Sequence, residues 1–171
     1  MSDAIEWKTR PETGRDVPAV RRVVLAAFPT SEEADLVDAL RADLAWLPGL
    51  SWVAETPGGE VAGYALLTRC RVGGADALAL APVAVPPRYQ KRGAGGAVTR
   101  AALRAAAERG EPLVVVLGHP EYYPRFGFVP ASRLGIRASF EVPDEALMAL
   151  VLDDSVPAAS GTIEYAAPFG V

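Results

Sequence analysis

Hydrophobic and polar residues alternate along several short stretches of the chain, starting near its beginning. Ile5, Trp7 and Thr9 alternate with charged residues. This two-residue period is typical of a half-buried strand. The pattern therefore predicts a first strand over residues 5–10.

The next two segments carry apolar residues at helical spacing. The first begins at Asp16, just before a proline, and ends at Pro29. The second begins with Thr30 and Glu33 at capping-box spacing and has an apolar stripe that runs to Leu44. We therefore expect two amphipathic helices before the chain returns to strands.

Three antiparallel strands are predicted next. Residues 52–56 and 61–68 are joined by a Pro-Gly-Gly turn, and a Gly-Gly pair leads into residues 78–85. Turn residues between apolar runs favour hairpins, so these three strands should be neighbours in one sheet.

A strand–helix–strand unit follows. Apolar and small residues recur at helical spacing up to Gly110, and residues 113–117 are wholly apolar, as in a strand buried on both faces. Because such crossovers are right-handed, the strands at 78–85 and 113–117 should lie parallel in the same sheet. The remaining segments with a strand pattern lie near the end of the chain, at 136–142, 147–152 and 161–165.

Composition narrows the class of protein. The chain has 171 residues, half of them apolar, and a net charge of −4, which disfavours both a disordered chain and a nucleic-acid binder. Cys70 has no second cysteine to pair with, and one cysteine with one histidine cannot form a structural zinc site, so we expect no metal. With no signal or membrane-spanning segment, we expect one cytoplasmic domain over residues 1–171, with a core at about 4–152 and a tail at 153–171.

The segment between the fourth predicted strand and the long helix carries the candidate chemistry. Gly93, Gly95 and Gly96 permit close backbone approach, and the start of a helix attracts a phosphate. A dinucleotide-binding turn would need glycine or alanine where Val98 stands, and a Walker A loop would need Gly-Lys-Ser/Thr, which is absent. A glycine-rich turn without a ligand remains the structural alternative.

Two blocks of sequence resemble the GNAT superfamily of N-acetyltransferases. Val83-Ala84-Val85 followed by Gln90-Lys91-Arg92-Gly93-Ala94-Gly95 is similar to its acyl-CoA-binding motif. Tyr122-Tyr123-Pro124-Arg125-Phe126-Gly127-Phe128 is similar to the later segment in which many members carry a tyrosine four residues before Gly-Phe. The resemblance extends over most of the chain and points to a subgroup of small bacterial predicted acetyltransferases.

The resemblance implies an α/β (α+β) fold with a mixed central sheet of six to seven strands and about four helices. Strands four and five would be parallel and would part to admit the pantetheine arm of acetyl-CoA, the co-substrate. By the same resemblance, the residues in contact with the coenzyme are Val83, Ala84, Val85, Gln90, Lys91, Arg92, Gly93, Ala94, Gly95 and Gly96.

The implied reaction is direct attack of a primary amine on the thioester in a ternary complex. The Val85 N–H would stabilise the oxyanion, and Tyr123 would protonate the departing thiolate, with Tyr122 or simple packing as alternatives. The fourth predicted strand lacks the carboxylate that many members use as a base. The remaining candidate bases are Glu32, Glu33, Glu55 and His119. Of these, His119 has the pKa range that suits a base, and ordered water is a further alternative.

The acceptor is expected to be a small-molecule or peptide amine. Glu32 and Glu33 on the second helix are candidate acceptor-binding residues, with a solvated acidic face as the alternative. Because dimers are common among similar proteins, a homodimer is compatible with the resemblance. Two rival functions are a catalytically silent acyl-CoA-binding or regulatory module and a nucleotide-binding protein.

Overall fold

The computed structural model describes residues 5–171, which form a nine-stranded mixed sheet with helices. The strands are β1 (Lys8–Pro11), β2 (Trp46–Glu55), β3 (Val61–Val72), β4 (Ala75–Ala84), β5 (Leu113–Leu117), β6 (Val129–Pro130), β7 (Ile136–Arg137), β8 (Leu147–Val151) and β9 (Gly161–Glu164). The α-helices are α1 (Val17–Ala27), α2 (Glu32–Arg41) and α3 (Ala94–Glu108). The main strand order is β1-β2-β3-β4-β5-β8-β6, and β9 pairs with β3 and β7.

The predicted fold class is confirmed, but its strand and helix counts differ. Residues 5–171 contain nine strands and three α-helices instead of six to seven strands and about four helices. Two of the strands, β6 and β7, have two residues each, which is too short for an alternating pattern to be visible in the sequence. The strand predicted over 136–142 accordingly shrinks to Ile136–Arg137.

The second helix is shorter than its apolar stripe predicted. It ends at Arg41, and Leu44 is fully exposed in the loop that follows. The predicted capping box is wrong, because Ser31 is the N-cap residue and its side chain makes no capping hydrogen bond. The Thr30 hydroxyl accepts a bond from the Glu32 N–H at 3.3 Å, not from the Glu33 N–H. Instead, one carboxylate oxygen of Glu33 is buried without a hydrogen-bond partner in residues 5–171.

A β-bulge in β4 changes which face its side chains occupy. Leu67 pairs with Leu80 and Ala65 pairs with Val83, so β4 uses three steps where β3 uses two. The extra residue reverses the alternation, as expected for a one-residue shift. As a result Val83 packs on the α3 side of the sheet, together with Leu80.

Strands β4 and β5 are parallel and separate partway along their length. Their pairing consists of Leu78 with Val114 and Ala79 with Val115. Beyond these pairs β4 continues to Ala84 and β5 to Leu117 without a shared ladder. The predicted parting of these two strands is therefore present, and it opens a gap in the sheet.

The core fills both faces of this sheet. On one face α3 packs on β2 and β3, with Val98 and Ala102 buried against Leu67. The other face is covered by α1 and α2 and by the C-terminal segment, in which Ile163 of β9 is 1% exposed. The segment predicted as a tail thus contributes a strand. Within residues 5–171, no helix combines the length and apolar character needed to cross a membrane.

Candidate active site

A cleft of about 690 Å³ lies beside the end of β4 and the start of α3. Seven of the ten predicted coenzyme-contact residues line it: Val83, Val85, Gln90, Lys91, Gly93, Gly95 and Gly96. The other three do not. Ala84 is buried in the cluster beneath α1 and α2, Ala94 is buried beside Gly63, and the Arg92 side chain is exposed to solvent.

The loop before α3 presents free backbone donors to this cleft. The N–H groups from Lys91 to Gly96 donate no hydrogen bond to any acceptor in residues 5–171, whereas the Gln90 N–H bonds the Pro87 carbonyl at 3.3 Å. Lys91 has a φ of 63° and Gly93 a φ of 92°, so the backbone turns in the left-handed region at both positions. Consecutive free N–H groups at a helix start form a site for a phosphate.

Trp7 supports this loop from a distant part of the sequence. Its indole Nε1 donates a hydrogen bond to the Arg92 carbonyl at 2.8 Å, and its ring makes an edge contact with Tyr89 at 5.7 Å between centroids. The hydrogen bond joins residues 85 positions apart. Nothing in the local pattern, which placed Trp7 in a strand, indicates this contact.

The residue that follows β4, Val85, has a backbone N–H that is available for chemistry. Within residues 5–171 the Val85 N–H has no hydrogen-bond partner, while the Val85 carbonyl accepts a bond from Gln90 Nε2 at 2.9 Å. The Gln90 side chain therefore holds the strand end in place. Its carboxamide and the bulge upstream orient Val85 toward the cleft.

Tyr122 and Tyr123 both line the cleft, in different surroundings. Tyr122 is half-buried, and its hydroxyl would be 3.1 Å from a Cβ atom added at Gly95. Tyr123 is 9% exposed, and its ring meets those of Tyr122 and Phe128 with centroids 5.1 and 5.8 Å away. Within the described residues, neither hydroxyl makes a hydrogen bond.

Both phenols are protonated at neutral pH, as an ordinary tyrosine is. Burial raises the pKa of Tyr123 to about 12, and the neighbouring Tyr122 adds to this shift. Burial also raises the pKa of Tyr122, against the opposing effect of the Arg125 and Arg100 charges. Each side chain therefore presents an O–H group that can donate toward negative charge developing in the cleft.

The charged side chains around the cleft are positive. Lys91, Arg100 and Arg125 line it, and no Asp or Glu among the described residues does so. The guanidinium of Arg125 lies 4.2 Å from the Tyr122 ring centroid, and that of Arg100 lies 5.0 Å from the Phe126 centroid. The sequence analysis missed both arginines, whose helical or turn spacing gave no sign that they face the glycine loop.

His119 lies at the rim of the cleft with an exposed side chain. Its imidazole is 84% exposed, and Nδ1 is 4.0 Å from a carboxylate oxygen of Glu121. The backbone carbonyl of His119 accepts bonds from the Tyr122 and Tyr123 N–H groups, so this residue shapes the turn that carries the tyrosines. The side chain itself is oriented only weakly.

The acidic face of α2 is separate from this cleft. Glu32 and Glu33 do not line it. Asp35 and Asp38 both form ion pairs with Arg21, at 3.0 and 2.7 Å, so part of the negative charge of this face is already neutralised on the surface.

A gap between parallel strands, a donor-rich loop and buried tyrosines together define an acyl-coenzyme A transferase site. Comparison with known families agrees: the sequence model of the Acetyltransferase (GNAT) family matches residues 17–128. The chain belongs to this family and is therefore an acyltransferase.

Two relatives of this chain are named N-acetyltransferases. The uncharacterized N-acetyltransferase YjhQ of Escherichia coli K12 is 40% identical over 135 residues, which cover 76% of this chain and 74% of that protein. The uncharacterized N-acetyltransferase YhbS of the same strain is 32% identical over 159 residues, which cover 91% and 94%. The resemblance to small bacterial acetyltransferases is confirmed.

Solved structures repeat this fold with the coenzyme bound. Escherichia coli YhbS in complex with CoA has a TM-score of 0.90 and 29% identity, covering 100% of this chain and 96% of that one. A GNAT family acetyltransferase from Brucella melitensis in complex with acetyl-CoA has a TM-score of 0.78 and 30% identity, covering 96% and 98%. Proteins of nearly the same architecture thus bind CoA or its acetyl thioester.

Proposed function

We propose that this protein is an N-acetyltransferase that moves the acetyl group of acetyl-CoA to a primary amine by direct attack in a ternary complex. The observation that carries the proposal is the cleft itself, because one space is lined by residues with free N–H groups and by a buried tyrosine. The residues with free N–H groups are Lys91, Gly93, Gly95, Gly96 and Val85. The coenzyme complexes of the two solved relatives support the choice of acetyl-CoA.

The loop at the start of α3 would bind the pyrophosphate. Its donors are already turned outward, so little reorganisation is needed on binding. Lys91, Arg100 and Arg125 add positive charge along the cleft. The pantetheine arm would then follow the edge of β4 at Val83 into the gap beside β5.

The chemical step uses groups at the end of this path. The amine lone pair attacks the thioester carbonyl carbon, and the Val85 N–H stabilises the resulting oxyanion. As the C–S bond breaks, the Tyr123 hydroxyl protonates the sulfur, the amine nitrogen loses a proton to solvent, and solvent returns a proton to the Tyr123 phenolate. Amide and thiol are the products.

Among the described residues, the coenzyme cleft has no carboxylate that could deprotonate the amine. His119 remains a candidate, but its imidazole is 84% exposed and has no close hydrogen-bond partner to orient it. Glu32 and Glu33 remain candidate acceptor contacts, although neither lines the coenzyme cleft. Removal of the proton by water is consistent with a cleft that lacks a carboxylate.

The role of Tyr123 is tested by removing only its hydroxyl. For Tyr123→Phe we expect folding and acetyl-CoA affinity to be retained, while the single-turnover rate of amine acetylation falls by about 10²-fold because proton donation is lost. CoA release, product mass and calorimetric binding of acetyl-CoA are the measurements.

Tyr122→Phe is the matched control. The two neighbouring rings meet edge to face with an angle of 89° between their planes, so their hydroxyls should not share one role. If Tyr122→Phe abolished single-turnover transfer while Tyr123→Phe kept the wild-type rate, the proton donor would be Tyr122. A Tyr123→Phe protein that lost stability instead would indicate a packing role.

A second candidate function is a catalytically silent acyl-CoA-binding module. The observation in its favour is that no Asp or Glu in residues 5–171 lines the cleft. Such a protein would bind acetyl-CoA as tightly as an active acetyltransferase does, but it would release no CoA with any amine in a broad panel. Turnover with a single amine above the rate of hydrolysis would exclude it.

We further propose that the acceptor is a small-molecule or peptide amine and that residues 1–171 act as one transferase domain. Pairing of β9 with β3 supports the second point, because it ties the C-terminal segment into the sheet. The proposed place of action is the cytoplasm, and the buried free thiol of Cys70 is compatible with reducing conditions.

A further inference from the structure

A second cavity opens on the opposite side of the gap between β4 and β5. Its volume is about 360 Å³, and none of the ten residues that line it has a charged side chain. The strands contribute residues 79–81 and 115–117, which are the positions at and just beyond the last β4–β5 pair. We call this cavity the aromatic pocket.

Three aromatic side chains from separate segments form its outer wall. Phe140 follows β7, Tyr165 follows β9, and Phe169 ends a short 3-10 helix. The Tyr165 ring lies 5.4 Å from the Phe169 ring and 6.2 Å from the Phe140 ring, between centroids. All three rings are half-buried, so each has an apolar surface left without contacts.

The aromatic pocket and the coenzyme cleft approach each other along the same two strand ends. Ala81 lines the pocket and Val83 the cleft, two residues apart on β4. Leu117 lines the pocket and His119 the cleft, again two residues apart. The Val85 N–H, where the thioester is placed, follows Ala81 on the same strand end, so an acceptor that fills the pocket would extend along this strand end toward the thioester.

We propose that the aromatic pocket binds the apolar part of the acceptor, so that the preferred substrate is a primary amine carrying an aromatic or bulky apolar group. This inference rests on the proposed acetyltransferase function. A volume of about 300 Å³ or more with apolar walls and few polar groups is typical of a small-molecule site. The lining contains no Asp or Glu side chain to attract a second cationic group on the acceptor.

An apolar pocket also explains how an amine could react although no carboxylate base lines the coenzyme cleft. Desolvation disfavours the charged form of an amine, so an acceptor bound here is deprotonated at a lower pH than in water. Tyr165 is the titratable side chain in the lining, and burial raises its pKa to about 12, so it remains neutral. A neutral amine can attack the thioester without a dedicated protein base.

The test compares amines that differ in one group. CoA release is followed with 2-phenylethylamine, with ethylamine, which lacks the phenyl ring, and with 1,4-diaminobutane, which carries a second charge. We expect kcat/KM for 2-phenylethylamine to exceed that for ethylamine by about 50-fold, the effect of burying one aromatic ring. Equal or greater values for ethylamine or 1,4-diaminobutane would overturn the inference.

A filling substitution tests the place of binding. Leu117 lines the pocket and is 47% exposed, so Leu117→Trp can occupy the pocket without disturbing the core. We expect it to reduce the phenyl preference by about ten-fold while acetyl-CoA affinity stays within about two-fold of wild type. Leu44→Trp, at a fully exposed leucine in the loop after α2, is the matched control and should behave like wild type. An unchanged preference in a folded Leu117→Trp protein would contradict the pocket assignment.

Binding measurements separate failure of this inference from failure of the proposed function. Calorimetry of 2-phenylethylamine with the protein–CoA complex reports the pocket without any transfer step. If the amine binds, Leu117→Trp removes binding and no amine is acetylated, the pocket stands and the transferase proposal fails. If amines are acetylated but 2-phenylethylamine does not bind in preference to ethylamine, the transferase proposal stands and this inference fails.

Discussion

Gly118 determines where the Tyr123 ring can lie. A Cβ atom at this position would overlap the edge of that ring, at its Cε2 and Cδ2 atoms. The backbone of Gly118 is not in the left-handed region, so space and not conformation requires glycine here. Nothing in the local sequence pattern indicates this role for Gly118.

We expect Gly118→Ala to lower the rate of acetyl transfer by about 10²-fold, because a displacement of about 1 Å misaligns a proton donor. Single-turnover kinetics measure this effect, and calorimetry should show acetyl-CoA affinity near the wild-type value. Gly14→Ala is the control, since no atom lies within 4 Å of a Cβ atom added there. A wild-type rate for Gly118→Ala would show that the ring position is unimportant.

At the scale of elements, one ion pair fastens the start of α1 to β1. The carboxylate of Asp16 accepts hydrogen bonds from Arg10 at 2.6 and 2.8 Å and from the Thr13 N–H at 2.7 Å. Arg10 also donates to Glu55 on β2, at 2.8 Å. The bond with Arg10, more than any other cause, holds the pKa of Asp16 well below its usual value.

We expect Asp16→Asn to lower the free energy of unfolding by about 2 kcal/mol at neutral pH, because it removes the charge that partners Arg10. A pKa lower in the folded state means that this stabilisation is complete above about pH 4 and declines as the pH falls further. Urea unfolding at pH 7 and pH 3 should therefore show a smaller difference between wild type and variant at pH 3. Asp154→Asn, at an exposed residue, is the control. An equal difference at both pH values would contradict this account.

At the scale of the whole molecule, charge is distributed unevenly. The chain carries a net charge of −4, yet the charged residues that line the coenzyme cleft are Lys91, Arg100 and Arg125. A local positive field of this kind attracts a polyanion such as acetyl-CoA even to a protein of negative net charge. Salt screens such a field over about 10 Å at 0.1 M.

We expect acetyl-CoA to bind about ten-fold more weakly when the salt concentration rises from about 50 to 500 mM. The double variant Arg100→Gln, Arg125→Gln should bind more weakly at low salt and respond less to added salt. Calorimetric titration across the salt series is the measurement. Arg133→Gln, at an exposed arginine away from the cleft, should keep the wild-type response. If added salt weakened acetyl-CoA binding equally in the double variant and the wild type, the phosphates of the coenzyme would bind away from these two arginines.

The local pattern of apolar and turn residues was sufficient to predict elements that extend over several residues. The wholly apolar run at 113–117 has the same first and last residues as β5, and the glycines before α3 correctly predicted where that helix begins. Period and turn chemistry are local properties, so a chain segment displays them without its partners. The order strand, glycine-rich turn, helix, buried strand was therefore enough to predict the parallel pair and, with the second motif, the family.

Only the tertiary structure decided which side chains meet. The bulge that turns Val83 toward α3 depends on pairing with β3, and the bond from Trp7 to Arg92 crosses 85 positions of sequence. The aromatic pocket joins Phe140, Tyr165 and Phe169. The first two come from segments whose pattern predicts strands, at 136–142 and 161–165, and Phe169 comes from a segment whose pattern predicts no element. Contacts between distant segments depend on how the whole sheet is assembled, and a local period of apolar residues carries no record of that assembly.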